Sequence, residues 1–289
     1  MASRGQVSAG VITCGYHGLG FNETGQCIAN PHGAVPRVAR VERLAAVERH
    51  GILWVWLGTA ETAQCSLIPD LSFLARGTPL TMRAGYMHTR ANYQLCVDNI
   101  LDLSHADFLH PASLGGGAAT RARCKVTKTE TGLNLSWDMK NEVPLPVIGC
   151  EYPGYERLDL WIDVIWTPPG IMYLEAGGGP PGTPRAAAIN TFNVHIMMPE
   201  GAAATHYFYC NVRNFRVDDA DFHEHVSEML RDAFESEDKP MLEAQQLRIG
   251  DRDVDQLKPM LLGSDAGPVA ARCMLVARIA EEQANQSVQ

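Results

Sequence analysis

The stretch of residues 99–110 constrains this chain most, because it sets polar side chains among large apolar ones in a segment typical of a helix. Its polar members are Asn99, Asp102, His105 and His110, and its large apolar members are Ile100, Leu101, Leu103, Phe108 and Leu109. We predict a buried helix here, and polar groups carried into a core need partners. Two histidines and one carboxylate suit a divalent first-row metal, and at non-haem Fe(II) they leave positions open for dioxygen and a substrate.

A regular helix would not bring both histidines of this stretch to one ion. At about 100° per residue, His105 and His110 would lie roughly 140° apart around the axis. Pro111 disfavours helical geometry at the residue before it. We therefore expect the helix, which should begin near Asn92, to be distorted or to end near Phe108. Without further ligands, two histidines at this spacing are weak evidence for a metal.

Composition and charge exclude several classes of protein. The 289 residues are 46% hydrophobic and 20% charged, as in an ordinary globular protein with one large core or two smaller ones. A formal charge of −9 without a basic run argues against nucleic acid or an anionic membrane as partner. The longest strongly apolar run, 52–57, is too short to span a bilayer. Without a signal-like start, the eight cysteines are expected to be reduced thiols or ligands, and the expected location is cytoplasmic.

A second group of candidate ligands lies near the start of the chain. The β-prone run 11–13 leads into Cys14 and His17, which stand two residues apart in a glycine-rich turn. A thiolate and an imidazole at this spacing can reach one metal centre while backbone N–H groups face the sulfurs. For an isolated pair, a buried cysteine and a surface histidine would be the commoner interpretation.

Two motifs together resemble a known family. The sequence Cys-Gly-Tyr-His-Gly-Leu-Gly-Phe at 14–21 resembles the second ligand loop of a Rieske [2Fe-2S] domain. The sequence Asn-Tyr-Gln-Leu-Cys-Val-Asp-Asn-Ile-Leu-Asp-Leu-Ser-His-Ala-Asp-Phe-Leu-His-Pro at 92–111 resembles the mononuclear-iron motif of Rieske non-haem iron oxygenases, above all vanillate O-demethylase oxygenase subunits. Two motifs in the expected order are far more specific than either alone.

The Rieske resemblance accounts for only half of a cluster. Such a cluster takes two cysteines and two histidines, and residues 1–13 contain neither type to form the family's earlier Cys-x-His pair. Three explanations stay open: a start site assigned too late, a shortened protein without the cluster, or replacement of the missing pair by Cys27 and His32. In a variant of the third, Cys14, His17, Cys27 and His32 bind zinc.

The resemblance also implies the ligands of a mononuclear iron. His105 and His110 would bind Fe(II) together with Asp238, which stands far along the chain in a Glu-Asp-x-x-x-x-Glu-x-x-Gln setting. Glu235 and Glu237 are the alternatives if the register differs. These three ligands would form the facial triad of a non-haem Fe(II) site.

Further site residues are implied in the same way. Asn99 would lie in or near the iron's ligand set, and Asp102 would be a catalytic residue that hydrogen-bonds His105. In the family's homotrimer, that aspartate also bridges to a Rieske histidine of a neighbouring subunit, the place that His17 would occupy. His195 is a candidate substrate contact, although solvent is the plainer expectation for its strand face.

The implied fold class is α+β. A partial Rieske-type β domain at residues 1–76, lacking the first Cys-x-His loop, precedes a catalytic mononuclear non-haem iron domain at 77–289 with a helix-grip (Bet v1-like, START-like) fold. Apolar alternation on both faces of 51–58 predicts a strand buried on both sides, and the Gly- and Pro-rich run 177–184 predicts a mobile loop. Further predicted strands lie at 81–90, 124–139 (a hairpin), 158–166, 171–175, 191–198 and 205–214, with helices from about 219 and from 268 to 282.

The function implied is that of an oxygenase component. It would activate O2 at Fe(II), with electrons from a separate ferredoxin or flavin reductase component, and hydroxylate or O-demethylate a small, vanillate-like aromatic substrate. The alternative is a non-catalytic helix-grip protein that binds a ligand or another subunit. The missing half of the cluster ligands favours this alternative.

Overall fold

The chain divides between Ile68 and Pro69 into two units. The structure, a computed structural model, describes residues 4–252 and 254–286. The outer ends of the two predicted domains, residues 1–3 and 287–289, lie outside the described residues, as does residue 253. The predicted boundary near Gly77 falls shortly after the observed division.

Short antiparallel strands make up the first unit. They are β1 (Gln6–Ser8), β2 (Val11–Thr13), β3 (Gly20–Phe21), β4 (Cys27–Ala29), β5 (Ala45–Arg49) and β6 (Ile52–Trp56). Strands β1 to β4 form one sheet in that order, and β5 pairs with β6 in another. The turn between β2 and β3 is closed by a hydrogen bond from Gly18 N to Cys14 O, 3.0 Å long. It therefore presents Cys14 and His17 on one tight loop.

Strand β6 is exposed on one face, so the prediction that both its faces are buried is wrong. Leu53 is 70% exposed and Val55 is 46% exposed. On the other face, Trp54 donates from its indole Nε1 to Arg49 O over 3.1 Å. A two-stranded sheet is too small to be covered on both sides by its own turns, which explains the exposed apolar face.

The second unit is built on a seven-stranded antiparallel sheet in the order β7-β13-β12-β11-β10-β9-β8. Its strands are β7 (Met82–Thr89), β8 (Lys125–Lys128), β9 (Leu133–Glu142), β10 (Leu158–Thr167), β11 (Ile171–Gly179), β12 (Ile189–Gly201) and β13 (Ala204–Arg213). Its helices are α1 (Tyr93–Leu101), α2 (Ala106–Leu109), α3 (Ala118–Arg121), α4 (Pro146–Gly149), α5 (Ala220–Arg231), α6 (Lys239–Ile249) and α7 (Ala266–Gln286). Among the described residues, no helix is both long and apolar enough to cross a bilayer.

Helices and sheet share one core in this unit. Strand β9 alternates strictly, so that Leu133, Leu135, Trp137 and Met139 are buried. The same apolar cluster includes Val226 and Leu230 of α5, Ala271 and Leu275 of α7, and Ile100 and Leu101 of α1. The α+β class and the helix-grip arrangement, a large antiparallel sheet packed on helices, are confirmed.

The glycines at 177–179 belong to β11, so the prediction of a loop starting at Gly177 is wrong. A Cβ atom at Gly177 would lie 2.3 Å from the ring of Trp161, and one at Gly178 would lie 2.5 Å from the side chain of Leu160. Glycine within a strand commonly marks such a close approach. Residues 177–179 therefore continue strand β11 without side chains, because the side chains of Trp161 and Leu160 occupy the space that theirs would need.

Candidate active site

The stretch 99–110 is a broken helix. Helix α1 follows its N-cap Asn92 and ends at Leu101, and Asp102 is extended, with φ −124° and ψ 97°. A 3-10 turn and the one-turn helix α2 follow. This break confirms the predicted distortion, and it brings the ring centroids of His105 and His110 to 5.4 Å from each other.

The carboxylate of the site comes from an irregular helical segment. Between α5 and α6 the backbone forms a π-helix over Asp232–Asp238. Pro240 cannot donate a hydrogen bond to the carbonyl of Ser236, and in a regular α-helix its ring would clash with that carbonyl, which accounts for the widened turn. π-Helical turns are rare in proteins, and those that do occur are often found at functional sites. Asp238, at the end of the turn, is buried.

His105, His110 and Asp238 converge on one point. Oδ1 of Asp238 lies 3.1 Å from Nε2 of His110 and 3.5 Å from Nε2 of His105. In the described part of the chain, no other group of three or more His, Cys, Asp or Glu has ligand atoms all within 4.8 Å of one another. Two imidazole nitrogens and one carboxylate oxygen form the donor set of non-haem Fe(II) sites. Glu235 and Glu237 do not belong to this group.

Glu237 holds the other ring nitrogen of His110. Oε2 of Glu237 lies 2.6 Å from Nδ1 of His110. With Nδ1–H donating to this carboxylate, the lone pair of Nε2 is free for a metal. Burial alone would lower the pKa of His110, but the hydrogen bonds to Asp238 and Glu237 outweigh burial and raise it. The sequence indicated Glu237 only as an alternative ligand, because the π-helical turn that aims it at His110 has no sequence signature of its own.

Asn99 and Asp102 lie next to these ligands. Nδ2 of Asn99 donates to Oδ1 of Asp238 over 3.1 Å and lies 3.3 Å from Nε2 of His105. Nδ1 of His105 lies 2.8 Å from the main-chain oxygen of Asp102, whereas the Asp102 carboxylate accepts from Ser104 N over 3.0 Å. The predicted contact between Asp102 and His105 is therefore made by the main-chain oxygen of Asp102 and not by its carboxylate. As N-cap of the 3-10 turn, this carboxylate binds the turn's free N–H instead.

The three converging side chains line a cavity. The cavity is small, with a volume of about 110 Å³, and a concave, mostly apolar pocket with a few polar groups is the usual form of a small-molecule site. The polar lining besides the triad is Thr191, Asn193, His195 and Asn211, and the apolar lining includes Ile162, Leu174, Met229 and Phe234. An apolar cavity beside a metal-type donor set suits an organic substrate.

His195 faces this cavity, so solvent, the plainer expectation for its strand face, is wrong. Tyr207 places its hydroxyl oxygen 2.9 Å from Nδ1 of His195, and the ring of Phe234 stands edge-on at 5.6 Å. Burial lowers the pKa of His195 to about 4, so the imidazole is neutral at pH 7. Alternation along β12 places Asn193 on the same face, but Asn211 enters only through the register between β12 and β13, which the sequence alone did not give.

The first unit presents Cys14 and His17 but does not gather the four residues of the zinc alternative. Nε2 of His32 lies 2.9 Å from the main-chain oxygen of His17, and the buried Cys27 donates from Sγ to Ala29 O over 3.4 Å. Within the described residues, these side chains are not part of any group of three ligands within 4.8 Å.

Comparison with known proteins identifies the family. Residues 89–281 match the family described as vanillate O-demethylase oxygenase C-terminal domain, and residues 1–42 match the Rieske [2Fe-2S] domain. The chain belongs to the Rieske oxygenases. This oxygenase is 34% identical to the putative toluene-4-sulfonate monooxygenase system iron-sulfur subunit TsaM2 of Comamonas testosteroni, over 94% of its own length and 81% of that protein.

Two further relatives concern dicamba. The oxygenase component of dicamba O-demethylase from Stenotrophomonas maltophilia is 31% identical, over 92% of this chain and 79% of that protein. A crystal structure of dicamba monooxygenase bound to 3,6-dichlorosalicylic acid superposes with a TM-score of 0.87 at 30% identity, covering 97% of this chain and 83% of that one. Both the fold and the oxygenase class expected from the motifs are confirmed.

The family's cofactors are a Rieske [2Fe-2S] cluster and a mononuclear non-haem iron. The converging donors of His105, His110 and Asp238 fit the iron. Cys14 and His17 match only two of the four ligands of a Rieske cluster, and residues 1–13 contain no cysteine or histidine. The residues of this sequence therefore do not complete the cluster by themselves.

Proposed function

We propose that this oxygenase inserts one atom of O2 into a small aromatic substrate at an iron held by His105, His110 and Asp238. The observation that carries the proposal is the convergence of these three donors on the wall of an apolar cavity. When bound there, Fe(II) supplies the activation of O2. Relatives named for aromatic demethylation and monooxygenation support this class of reaction.

With an aryl methyl ether, hydroxylation of the methyl group gives a hemiacetal that loses formaldehyde. The overall balance is ArOCH3 + O2 + 2 H⁺ + 2 e⁻ → ArOH + HCHO + H2O. The chain's own residues orient and enclose the reactants. Glu237 fixes the tautomer of His110, the main-chain oxygen of Asp102 does the same for His105, and apolar walls bind the ring and exclude water.

Partners follow from the same proposal. Relatives carry names such as "oxygenase component" and "monooxygenase system", so the two electrons are proposed to come from a separate reductase component. We extend the proposal to a homotrimer, in which Asp102 faces the Rieske unit of a neighbouring subunit.

Iron content, acid-labile sulfide and formaldehyde release test this function. We expect about one mononuclear iron per chain, and formaldehyde from an aryl methyl ether only with O2, a reductase and a complete Rieske cluster present. Sulfide is measured separately because it reports the cluster alone. Purified chain that binds no iron while still binding an aromatic ligand would refute the enzyme and favour a ligand-binding protein.

A further inference from the structure

The cavity beside the triad is too small, as it stands, for a substituted aromatic ring. Its volume is about 110 Å³, whereas a cavity that holds benzene alone measures roughly 150 Å³. Part of the lining must therefore move outwards when an aromatic substrate enters. Loop movements of this kind are common at enzyme sites.

Most of the lining is fixed by the fold. The lining residues from β10 to β13 lie on interior strands, which are hydrogen-bonded on both sides. Leu230 of α5 and Leu145, next to α4, belong to the main apolar core. Leu114 also lines the cavity, but it comes from the loop 111–117 between α2 and α3 and lies outside the core that the described residues form. This loop is therefore the part of the wall that can yield.

The loop 111–117 ends in three successive glycines. Gly116 and Gly117 have φ angles of +152° and +79°, which residues with a Cβ atom rarely adopt. Gly115 packs directly on α2, since a Cβ atom there would lie 2.5 Å from the main-chain oxygen of Ala106. The loop thus lies close against the helix between the two histidines of the triad, and its end can change direction at low cost.

A single carboxylate holds this end of the loop on α2. Oδ1 of Asp107 accepts from Gly116 N over 3.0 Å and from Gly117 N over 2.6 Å. Oδ2 accepts from Thr120 N, at the start of α3, over 2.7 Å. Hydrogen bonds to a charged acceptor are stronger than neutral ones. Because Asp107 stands between the two histidines of the triad, it fixes the loop relative to both of them.

We propose that Asp107 is a positioning residue that holds Leu114 against the cavity, and that its bonds to Gly116 and Gly117 open when an aromatic substrate enters. The strength of this attachment sets the size of the substrate that is accepted, because a larger ring system must displace the loop further. This inference rests on the proposed function, since it concerns the substrate of the same cavity.

Two uncharged aryl methyl ethers, anisole and 2-methoxynaphthalene, test the size limit. Their dissociation constants are measured by calorimetry on iron-free protein and on anaerobic Fe(II)-loaded protein. Asp107→Ala removes all three hydrogen bonds, so the preference for anisole over 2-methoxynaphthalene should fall by about tenfold or more. Asp107→Asn keeps one acceptor oxygen and should give a smaller fall. An unchanged preference in both folded variants, or in Asp107→Asn alone if Asp107→Ala does not fold, overturns the inference.

The matched control is Asp159→Ala. The Asp159 carboxylate likewise accepts from two backbone N–H groups, those of Asn141 and Gly182, over 3.1 and 3.2 Å. These three residues are not among the described residues that line the cavity. The control should therefore keep the wild-type preference even if its stability falls. An equal loss of preference in Asp159→Ala would show that general loosening sets the size limit, and would overturn the inference.

Amide hydrogen exchange tests the movement on the unmodified protein. Saturation with anisole should speed exchange in the peptide that contains Gly116, Gly117 and Thr120, because their bonds to Asp107 open. Slower or unchanged exchange there, or no binding of anisole, overturns the inference. Iron content, measured on the same preparations, separates the two proposals. If iron is bound and Asp107→Ala leaves the size preference unchanged, only this inference fails; if the preference changes but no iron binds, only the proposed function fails.

Discussion

Two clusters in the second unit have the same composition, two histidines and one carboxylate, yet differ in almost every other respect. In the inner cluster, His110 and Asp238 have side chains only 1% and 3% exposed. In the outer cluster, His88 of β7 and Glu200 of β12 are 42% and 52% exposed and lie 2.6 Å apart. His206 of β13 reaches the same carboxylate only at 4.0 Å.

The difference lies in the backbone beneath each cluster. His88 and His206 are regular cross-strand partners, a placement that any antiparallel pair provides. The inner donors come from a broken helix and a π-helical turn, two irregularities that aim separate segments at one point. In the described chain, only the inner set brings three donors within 4.8 Å. Residue type alone therefore does not make a metal centre.

The largest effect on the inner cluster is expected when its carboxylate is removed. Asp238→Asn should reduce iron affinity by about 100-fold or more, since losing only a hydrogen-bond partner of a ligand already costs about 10–100-fold. Formaldehyde release should fall to background. Asp232→Asn, an exposed position in the same π-helical segment, is the control and should keep its iron. Full iron occupancy in Asp238→Asn would show that this carboxylate is not a ligand.

Burial of the histidine in the cavity wall should appear in the pH dependence of stability. The unfolded chain protonates His195 below about pH 6.5, whereas the folded chain does so only near pH 4. The stability from this neutral histidine is thus complete above pH 6.5 and is lost as pH falls towards 4, by about 3 kcal/mol in all. Chemical denaturation across this range, compared with His195→Gln, measures the loss. A wild-type slope in His195→Gln would contradict the prediction.

A smaller effect is expected from the residue that orients an inner ligand. Glu237→Gln weakens the hydrogen bond to Nδ1 of His110, so iron affinity should fall by about tenfold, with iron still bound at saturation. Titration with Fe(II) under anaerobic conditions gives the affinity. The control is Glu235→Gln, because Glu235 contacts Tyr209 and not His110. Equal iron affinities in the two variants would show that Glu237 does not support His110 as a ligand.

The smallest effect belongs to the outer cluster. The hydrogen bond from His88 is the main cause that lowers the pKa of the Glu200 carboxyl, but exposed ion pairs contribute little to stability and are screened by salt. Glu200→Gln should leave iron content, formaldehyde release and the denaturation midpoint at wild-type values. A loss of iron in this variant would mean that the two clusters are coupled.

The sequence predicted those parts of the site that local rules or a motif determine. His105, His110 and Asp238 converge as expected, and the angular argument for His105 and His110 correctly required a break in the helix. Asp102 contacts His105 through its main-chain oxygen, because its carboxylate serves as an N-cap. The wrong predictions for the exposed face of β6 and for the strand at Gly177 depend on which distant segments pack against these residues. Burial of such segments depends on which neighbours cover them, and spacing along the chain does not encode that.

The cavity wall shows the same limit. Asn193 and His195 share a face by simple alternation, but only the pairing of β12 with β13 brings Asn211 beside them. The contact between Glu237 and His110 depends on a π-helical turn that periodicity does not reveal. The register between β12 and β13 and the π-helical turn therefore could not be predicted from the sequence.

The π-helical turn also separates helices α5 and α6, which have different roles. Before it, Val226, Met229 and Leu230 shape the cavity. After it, Gln246 accepts from the backbone N–H of Asn92 and so anchors the start of the helix that carries Asn99. Because the wider turn shifts the angular phase between the two halves, each half keeps its own packing face. The cavity can thus be reshaped for another substrate from the first half, while the second half keeps the anchor unchanged.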